Sequence, residues 1–192
     1  IQVKADVLIG IPKVHLIRQV FRKPFLNINL FITTGKYSLL GKSIHKHITD
    51  EPFIFDAEKM NSNDPAAILF TSGGTGAPKG VVYTHDIFIS QTKMLQEEFV
   101  LTEVDVDIPG FPLFALFTLA MGMTSCVPDM DPSKPKNANP VKLIQNIMDQ
   151  GATFVAGSPA IWENIANYCI EKRLTLPSIK YLVMFGAPIP VS

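Results

Sequence analysis

Short apolar runs alternate along the chain with segments whose apolar residues recur at helical spacing. Residues 5–12, ADVLIGIP, predict a buried strand ended by Gly10 and Pro12, and Val14, Ile17 and Phe21 then fall on one helical face. NINLFITTG predicts a second strand. Residues 50–65 are polar and turn-rich, and they lead into AAILFTS, a short apolar strand that runs directly into a glycine-rich stretch. VVY follows, then a helix over about 84–99, which Thr84 can cap and in which Ile87, Met94 and Leu95 are candidates for the buried stripe. The apolar run 111–128 has about the length of a membrane span, but Pro112, Gly122, bounding turn residues and the lack of basic flanks favour a buried core helix.

The second half is patterned more sharply. Asn139 before Pro140 marks a helix start, Val141, Ile144, Ile147 and Met148 trace an apolar face, and Gly151 ends the helix. ATFVAG predicts a strand, Ser158 with Pro159 repeats the helix start, and AIWENIANYCIEK predicts the helix. Pro177 interrupts before the strand IKYLVMF. Helices and strands alternating through short loops imply an α/β fold of parallel-rich sheets flanked by helices.

Composition narrows the function classes. The 192 residues are 47% hydrophobic, enough for a sizeable core in one large domain or two lobes. Seventeen basic and seventeen acidic residues cancel without a basic run, which argues against a nucleic-acid partner. Cys126 and Cys169 form neither a CxxC pair nor a Cys/His cluster, so a structural zinc site is disfavoured, no disulfide is demanded, and a reducing cytoplasm fits. No secretory signal is visible at the start of the chain.

Candidate chemistry concentrates in FTSGGTGAPKGV, residues 70–81. Glycines allow positive φ and close backbone approach, Thr71, Ser72 and Thr75 offer hydroxyls, and Lys79 offers a mobile charge, an inventory suited to phosphate. An ordinary surface turn uses the same residue types. Position at the carboxyl end of a strand favours ligand binding. The stretch is not a Walker A sequence, since Lys79 is followed by Gly80; GKYSLLGKS, residues 35–43, ends in Gly-Lys-Ser but has one residue too many. His45 and His47 could meet a metal on one side of an extended segment, although no third ligand is evident and a solvated surface explains them. His15 and His85 suit a helix surface or the core, and His85 is close enough in sequence to approach a phosphate.

TSGGTGAPKGVVYTH resembles the phosphate-binding signature of the adenylate-forming enzymes, the superfamily of acyl-CoA synthetases, luciferases and peptide-synthetase adenylation domains. In the expected order, FPLFALFTLAMGM resembles the family's acyl-pocket segment and VMFGAP its adenine-side strand end, while LIGIPKVHLIRQVF matches a family start. FPLFALF with GMTSCVPDMDPSKP looks most like the β-lactone synthetases of olefin biosynthesis, then the long-chain fatty acyl-CoA ligases.

The resemblance implies ATP, Mg2+ and possibly CoA as cofactors, and a fatty or 3-hydroxy fatty acid activated as its acyl-adenylate, then closed to a β-lactone or passed to a thiol. It assigns Thr71, Ser72, Gly73, Gly74, Thr75, Gly76, Lys79 and Gly80 to the phosphates, with Lys79 and Thr75 catalytic. Gly186, Ala187 and Pro188 would wall the adenine, and Phe114, Ala115, Phe117 and Ser158 would border the acid. Core packing explains the two phenylalanines as well, a strand-end turn explains residues 186–188, and helix capping explains Ser158. Gly74 stands where relatives commonly carry Ser or Thr, and Ala115 where many carry histidine or an aromatic residue.

The implied organisation is a partial N-terminal adenylation domain over 1–192. Residues 1–65 would end its first subdomain and 66–192 would carry the phosphate loop, acyl pocket and adenine wall. The family's Tyr-Gly-x-Thr-Glu motif, ribose-binding aspartate and C-terminal domain with its lysine are expected beyond Ser192, so the isolated chain is expected to be inactive. The alternative is a noncatalytic nucleotide- or acyl-binding module, or a truncated paralogue. Acyl length, final acceptor and oligomeric state are not encoded legibly.

Overall fold

The structure is a computed structural model that describes residues 4–35, 40–46, 48, 55–71 and 78–189. It divides into two compact units, one comprising Ile1–Met60 and Leu69–Val81, the other Asn61–Ile68 and Val82–Ser192.

In the first unit, strand β1 (Val7–Gly10), helix α1 (Pro12–Val20), β2 (Leu30–Thr33) and β3 (Lys42–Ser43) form a parallel sheet in the order β1-β2-β3. Val7 pairs with Leu30, and Thr33 with Ser43. Pro12 occupies the first turn of α1, where its missing N–H costs nothing. His15 is fully buried, and its Nε2–H donates to the Ile32 carbonyl at 3.1 Å, so this histidine belongs to the core. Arg18 lies 3.5 Å from the centre of the Phe31 ring and donates to the Leu40 carbonyl.

Strands β4 (Pro65–Thr71) and β5 (Lys79–Thr84) pair in a two-stranded sheet and flank the glycine-rich stretch. Helix α2 (His85–Glu98) follows at once, with Thr84 Oγ1 accepting the Ile87 amide at 3.3 Å as its N-cap.

The second unit is built on β6 (Val106–Pro109), α3 (Ala115–Ala120), β7 (Thr124–Ser125), α4 (Pro140–Gln150), β8 (Phe154–Gly157), α5 (Pro159–Lys172) and β9 (Tyr181–Met184). Its sheet is parallel throughout, ordered β7-β6-β8-β9, with Ile108 opposite Val155 and Val155 opposite Leu182. Successive side chains of a strand point to opposite faces. Accordingly Val155 packs with Leu143, Ile144 and Ile147 of α4 and Ile161, Trp162 and Ile165 of α5, while Phe154 and Ala156 join Leu101, Met121 and Met123 in a separate cluster against which Leu95 of α2 and Phe117 of α3 pack. The sheet is thus covered by helices on both faces, as parallel sheets require.

Several sequence expectations are corrected here. The run 111–128 is not one helix: it comprises a 3-10 turn (Pro112–Phe114), the six-residue α3 and the two-residue β7, because Gly122 at φ +83 turns the chain. Among the described residues, no helix is long and apolar enough to cross a membrane. In α4 the buried face is Leu143, Ile144 and Ile147, with Val141 and Met148 exposed; in α2, Ile87 and Met94 are exposed and Leu95 alone of the three packs inward. The caps of α4 hold as read: Asn139 Oδ1 accepts the Val141 amide at 2.9 Å, and Gly151 takes φ +60.

Candidate functional site

The carboxyl ends of β6, β8 and β9 converge on a cleft, the position at which open α/β sheets bind ligands. Backbone there is packed unusually close. The Gly110 amide donates to the Ala156 carbonyl at 2.6 Å, and a Cβ at Gly110 would lie 2.9 Å from that oxygen and 3.0 Å from Ile161 Cδ1. Only glycine fits without displacing β8.

The cleft, about 290 Å³, is lined by Gly110, Phe111, Phe114, Ser158, Phe185 and Gly186 among others. Phe114 and Phe185 pack with their rings tilted by 45° and their centres 4.4 Å apart. Gly186 takes φ +84 with open space beyond it, so its backbone turn, not crowding, calls for glycine. Ala187 and Pro188 are exposed and are not part of this lining. Ser158 does not cap α5 through its side chain: its Oγ is buried and has no hydrogen-bond partner among the described residues, which corrects the capping explanation.

Phe114 also belongs to a second, strongly apolar cavity of about 250 Å³. Phe99, Phe117, Met121, Phe154 and Val183 contribute to its wall. Ala115 is buried but lies outside both linings. The structure therefore brings Phe114 together with Phe117 in the cavity and with Ser158 and Gly186 in the cleft.

One wall residue is not apolar. Asp107, on β6, is 1% exposed; its Oδ2 accepts from Thr118 Oγ1 at 2.7 Å and from Ser125 Oγ at 3.3 Å. Oδ1 is buried and has no partner among the described residues. Burial pushes the carboxyl up to about 6, against the smaller opposing pull of the two hydroxyl hydrogen bonds. Sequence reading passed over this residue; the available signal was an acid inside the otherwise apolar VDIP strand.

Asp105, two residues earlier, is solvated differently. Its burial is outweighed by hydrogen bonds from Lys180 Nζ at 2.8 Å, the Thr102 amide at 2.9 Å, and the Thr153 and Thr102 hydroxyls, which hold the carboxyl at about 2. This carboxylate ties the approach to β6 to β8 and β9, and it is a structural group.

Of the sequence-predicted phosphate residues, Thr71 ends β4, and Lys79 and Gly80 open β5, with Lys79 exposed. Ser72, Gly73, Gly74, Thr75 and Gly76 lie outside the described residues. His45 Nε2 donates to the Thr34 carbonyl at 3.1 Å, and His47 lies outside the described residues. Among the described residues, no three His, Cys, Asp or Glu side chains gather as a metal site, and Cys126 and Cys169 are free thiols.

Comparison with known proteins identifies the family. The family described as AMP-binding enzyme matches residues 19–192. An olefin beta-lactone synthetase of Xanthomonas campestris pv. campestris is 37% identical over 190 residues, covering 98% of this chain and 34% of that protein. A long-chain-fatty-acid–CoA ligase of Thermus thermophilus is 28% identical over 140 residues, 71% of this chain and 26% of that protein. The ATP-bound structure of MatB from Rhodopseudomonas palustris superposes with a TM-score of 0.73 at 23% identity, over 97% of this chain and 36% of that one, a likeness of fold. The chain thus spans about a third or less of these relatives' length, and on its match over residues 19–192 and its 37% identity to the Xanthomonas protein it belongs to the AMP-binding enzyme family.

Proposed function

We propose that this chain supplies the acid pocket and phosphate loop of an enzyme that activates a fatty or 3-hydroxy fatty carboxylate with ATP. The observation that carries the reading is Phe114, which is shared by an apolar cavity of about 250 Å³ and a glycine-walled cleft at the carboxyl ends of the sheet. An alkyl chain suits the first and a reacting head group the second. Thr71, Ser72, Gly73, Gly74, Thr75, Gly76, Lys79 and Gly80 hold the β- and γ-phosphates in this reading, while Gly186, Ala187 and Pro188 wall the adenine and Ser158 lies beside the head group with a hydroxyl that has no partner among the described residues.

The reaction joins two anions. A carboxylate oxygen attacks the α-phosphorus of ATP, the bond to the bridging oxygen breaks, and pyrophosphate leaves with that electron pair. Backbone amides, hydroxyls and Lys79 serve by positioning the phosphates and offsetting their charge. Magnesium accompanies ATP in such chemistry; the described residues contain no carboxylate cluster to hold it, so no step is assigned to it here. The acyl-adenylate then reacts either with the substrate's own 3-hydroxyl, which loses its proton as AMP leaves and the four-membered lactone closes, or with the thiol of CoA. The 37% identity to an olefin beta-lactone synthetase supports the lactone route.

In organisation we read residues 1–65 as the end of a first subdomain and 66–192 as the site-bearing part of a large N-terminal adenylation domain, completed by a C-terminal domain. The test is acid-dependent exchange of labelled pyrophosphate into ATP by the complete protein. Exchange that requires a fatty or 3-hydroxy fatty acid supports the reading, and nucleotide binding without exchange for any such acid contradicts it.

A further inference from the structure

The apolar cavity contains a carboxylate for which neither alkyl chains nor packing has a use. Asp107 lies in a wall otherwise formed by residues such as Phe99, Phe117, Met121 and Val183. Its Oδ2 has two hydroxyl donors, while Oδ1 has no partner among the described residues. A buried oxygen left in that state carries an uncompensated desolvation cost, larger when it is charged. A plain alkyl chain filling the cavity would leave the cost standing, because methylene groups donate no hydrogen bond. A chain carrying a hydroxyl would remove it.

We propose that Asp107 selects, among acids bound in this cavity, those whose chain bears a hydrogen-bond-donating hydroxyl. The inference rests on the reading of the cavity as the acid-chain site. The logic is one of rejection as much as attraction: a site built around a buried polar group discriminates strongly against the analogue that leaves it unpaired. Stoichiometry favours a hydroxyl over an ammonium. A hydroxyl has one proton to place and Asp107 offers one oxygen without a partner among the described residues, whereas an ammonium has three and the rest of the described wall, Thr118 apart, is apolar. Thr118, also in the wall, already spends its proton on Asp107 and its position fixes the carboxylate plane.

The experiment compares the complete protein with Asp107→Val and Asp107→Asn. Val removes the acceptor; Asn is the safer variant for folding, since it keeps an oxygen for Thr118 and Ser125 while replacing the free one with an NH2. Dissociation constants for plain, 3-hydroxy and further-chain hydroxy fatty acids of equal length are measured by calorimetry without ATP, and pyrophosphate exchange is measured in parallel. In the unmodified protein at least one hydroxylated isomer is expected to bind roughly 10- to 100-fold more tightly than the plain acid, the usual worth of a hydrogen bond to a charged group. Asp107→Val loses most of that preference, Asp107→Asn keeps only what a neutral amide donating to the hydroxyl oxygen can supply, and binding of the plain acid holds or improves.

A preference that is absent from the unmodified protein, or that survives in both variants, overturns the inference. So does a parallel loss for plain and hydroxylated acids with lowered thermal stability, which marks a purely structural carboxylate. Selective binding without exchange would instead overturn the proposed reaction and leave the assignment of Asp107 standing.

Discussion

Thr118 Oγ1 donates a 2.7 Å hydrogen bond to Asp107 Oδ2, locking the short helix α3 onto strand β6 between the cavity and the sheet. Both residues are almost fully buried. Thr118→Val keeps the shape and deletes the donor, leaving Oδ2 with only the 3.3 Å contact from Ser125. The variant is expected to lose about 1–3 kcal/mol at neutral pH, measured by urea unfolding, because a buried carboxylate forfeits its better partner.

Asp107 also sets a pH dependence. Its carboxyl is raised from 3.8 to about 6 in the folded protein, so the stability it contributes is complete below pH 3.8 and gone once the pH has risen through about 6. That difference corresponds to about 3 kcal/mol. Asp107→Asn cannot ionise, so its stability relative to the unmodified protein should climb between pH 4 and 6 and level off above. Unfolding curves at pH 4, 5, 6 and 7 check this; a constant offset would contradict the burial of a titrating carboxyl.

Asp105 has the opposite sign. Held at about 2, it stabilises the fold above pH 3.8 and loses that contribution as the pH falls through about 2. Lys180→Met should cost about 1–3 kcal/mol at pH 7, since it strands a buried carboxylate while the amine itself is half-exposed. The cost should shrink in acid. A variant equally destabilised at pH 2.5 and pH 7 would show that the ion pair is not its source.

Gly110→Ala should destabilise by about 1–3 kcal/mol or fail to fold, because its methyl would meet the Ala156 carbonyl oxygen at 2.9 Å. Gly186→Ala meets nothing and is strained only by its φ of +84, so about 1–2 kcal/mol is expected there. Thermal unfolding of the two variants, with Gly110→Ala the lower, distinguishes crowding from backbone strain.

Much of this fold was legible because its punctuation is chemical. Asn139 and Pro140 open α4 and Gly151 closes it, each for a reason that acts within one turn of backbone. What the pattern could not settle was which residues of an apolar helix meet the sheet: Leu143 stands one position from Ile144, and either register satisfies helical spacing until β6 and β8 are in place. Run 111–128 misleads similarly, since apolar composition reports burial and not secondary structure, and Gly122 decides the matter locally. At the site, the residue types of the glycine-rich stretch suit a phosphate and a surface turn alike, and its resemblance to a family signature is what favours the phosphate. Asp107 was not legible, because a single acid has no period, and its meaning comes from Thr118 and Ser125, which lie 11 and 18 positions away.

In the proposed phosphate site Lys79 is the charged side chain. Lys79→Ala in the complete protein should slow acid-dependent pyrophosphate exchange by at least about tenfold, the equivalent of one lost charge-assisted contact. An unchanged rate would remove Lys79 from the phosphate site.

If a carboxylate oxygen bonds to the α-phosphorus of ATP, as proposed, isotope transfer reads that bond. The complete protein is supplied with ATP and a 3-hydroxy fatty acid whose carboxylate carries 18O, and the AMP released after turnover is weighed by mass spectrometry. One labelled oxygen is expected in AMP, carried over when the acyl-adenylate breaks. Label found in inorganic phosphate with ADP as the nucleotide product, or unlabelled AMP from ongoing turnover, would contradict it.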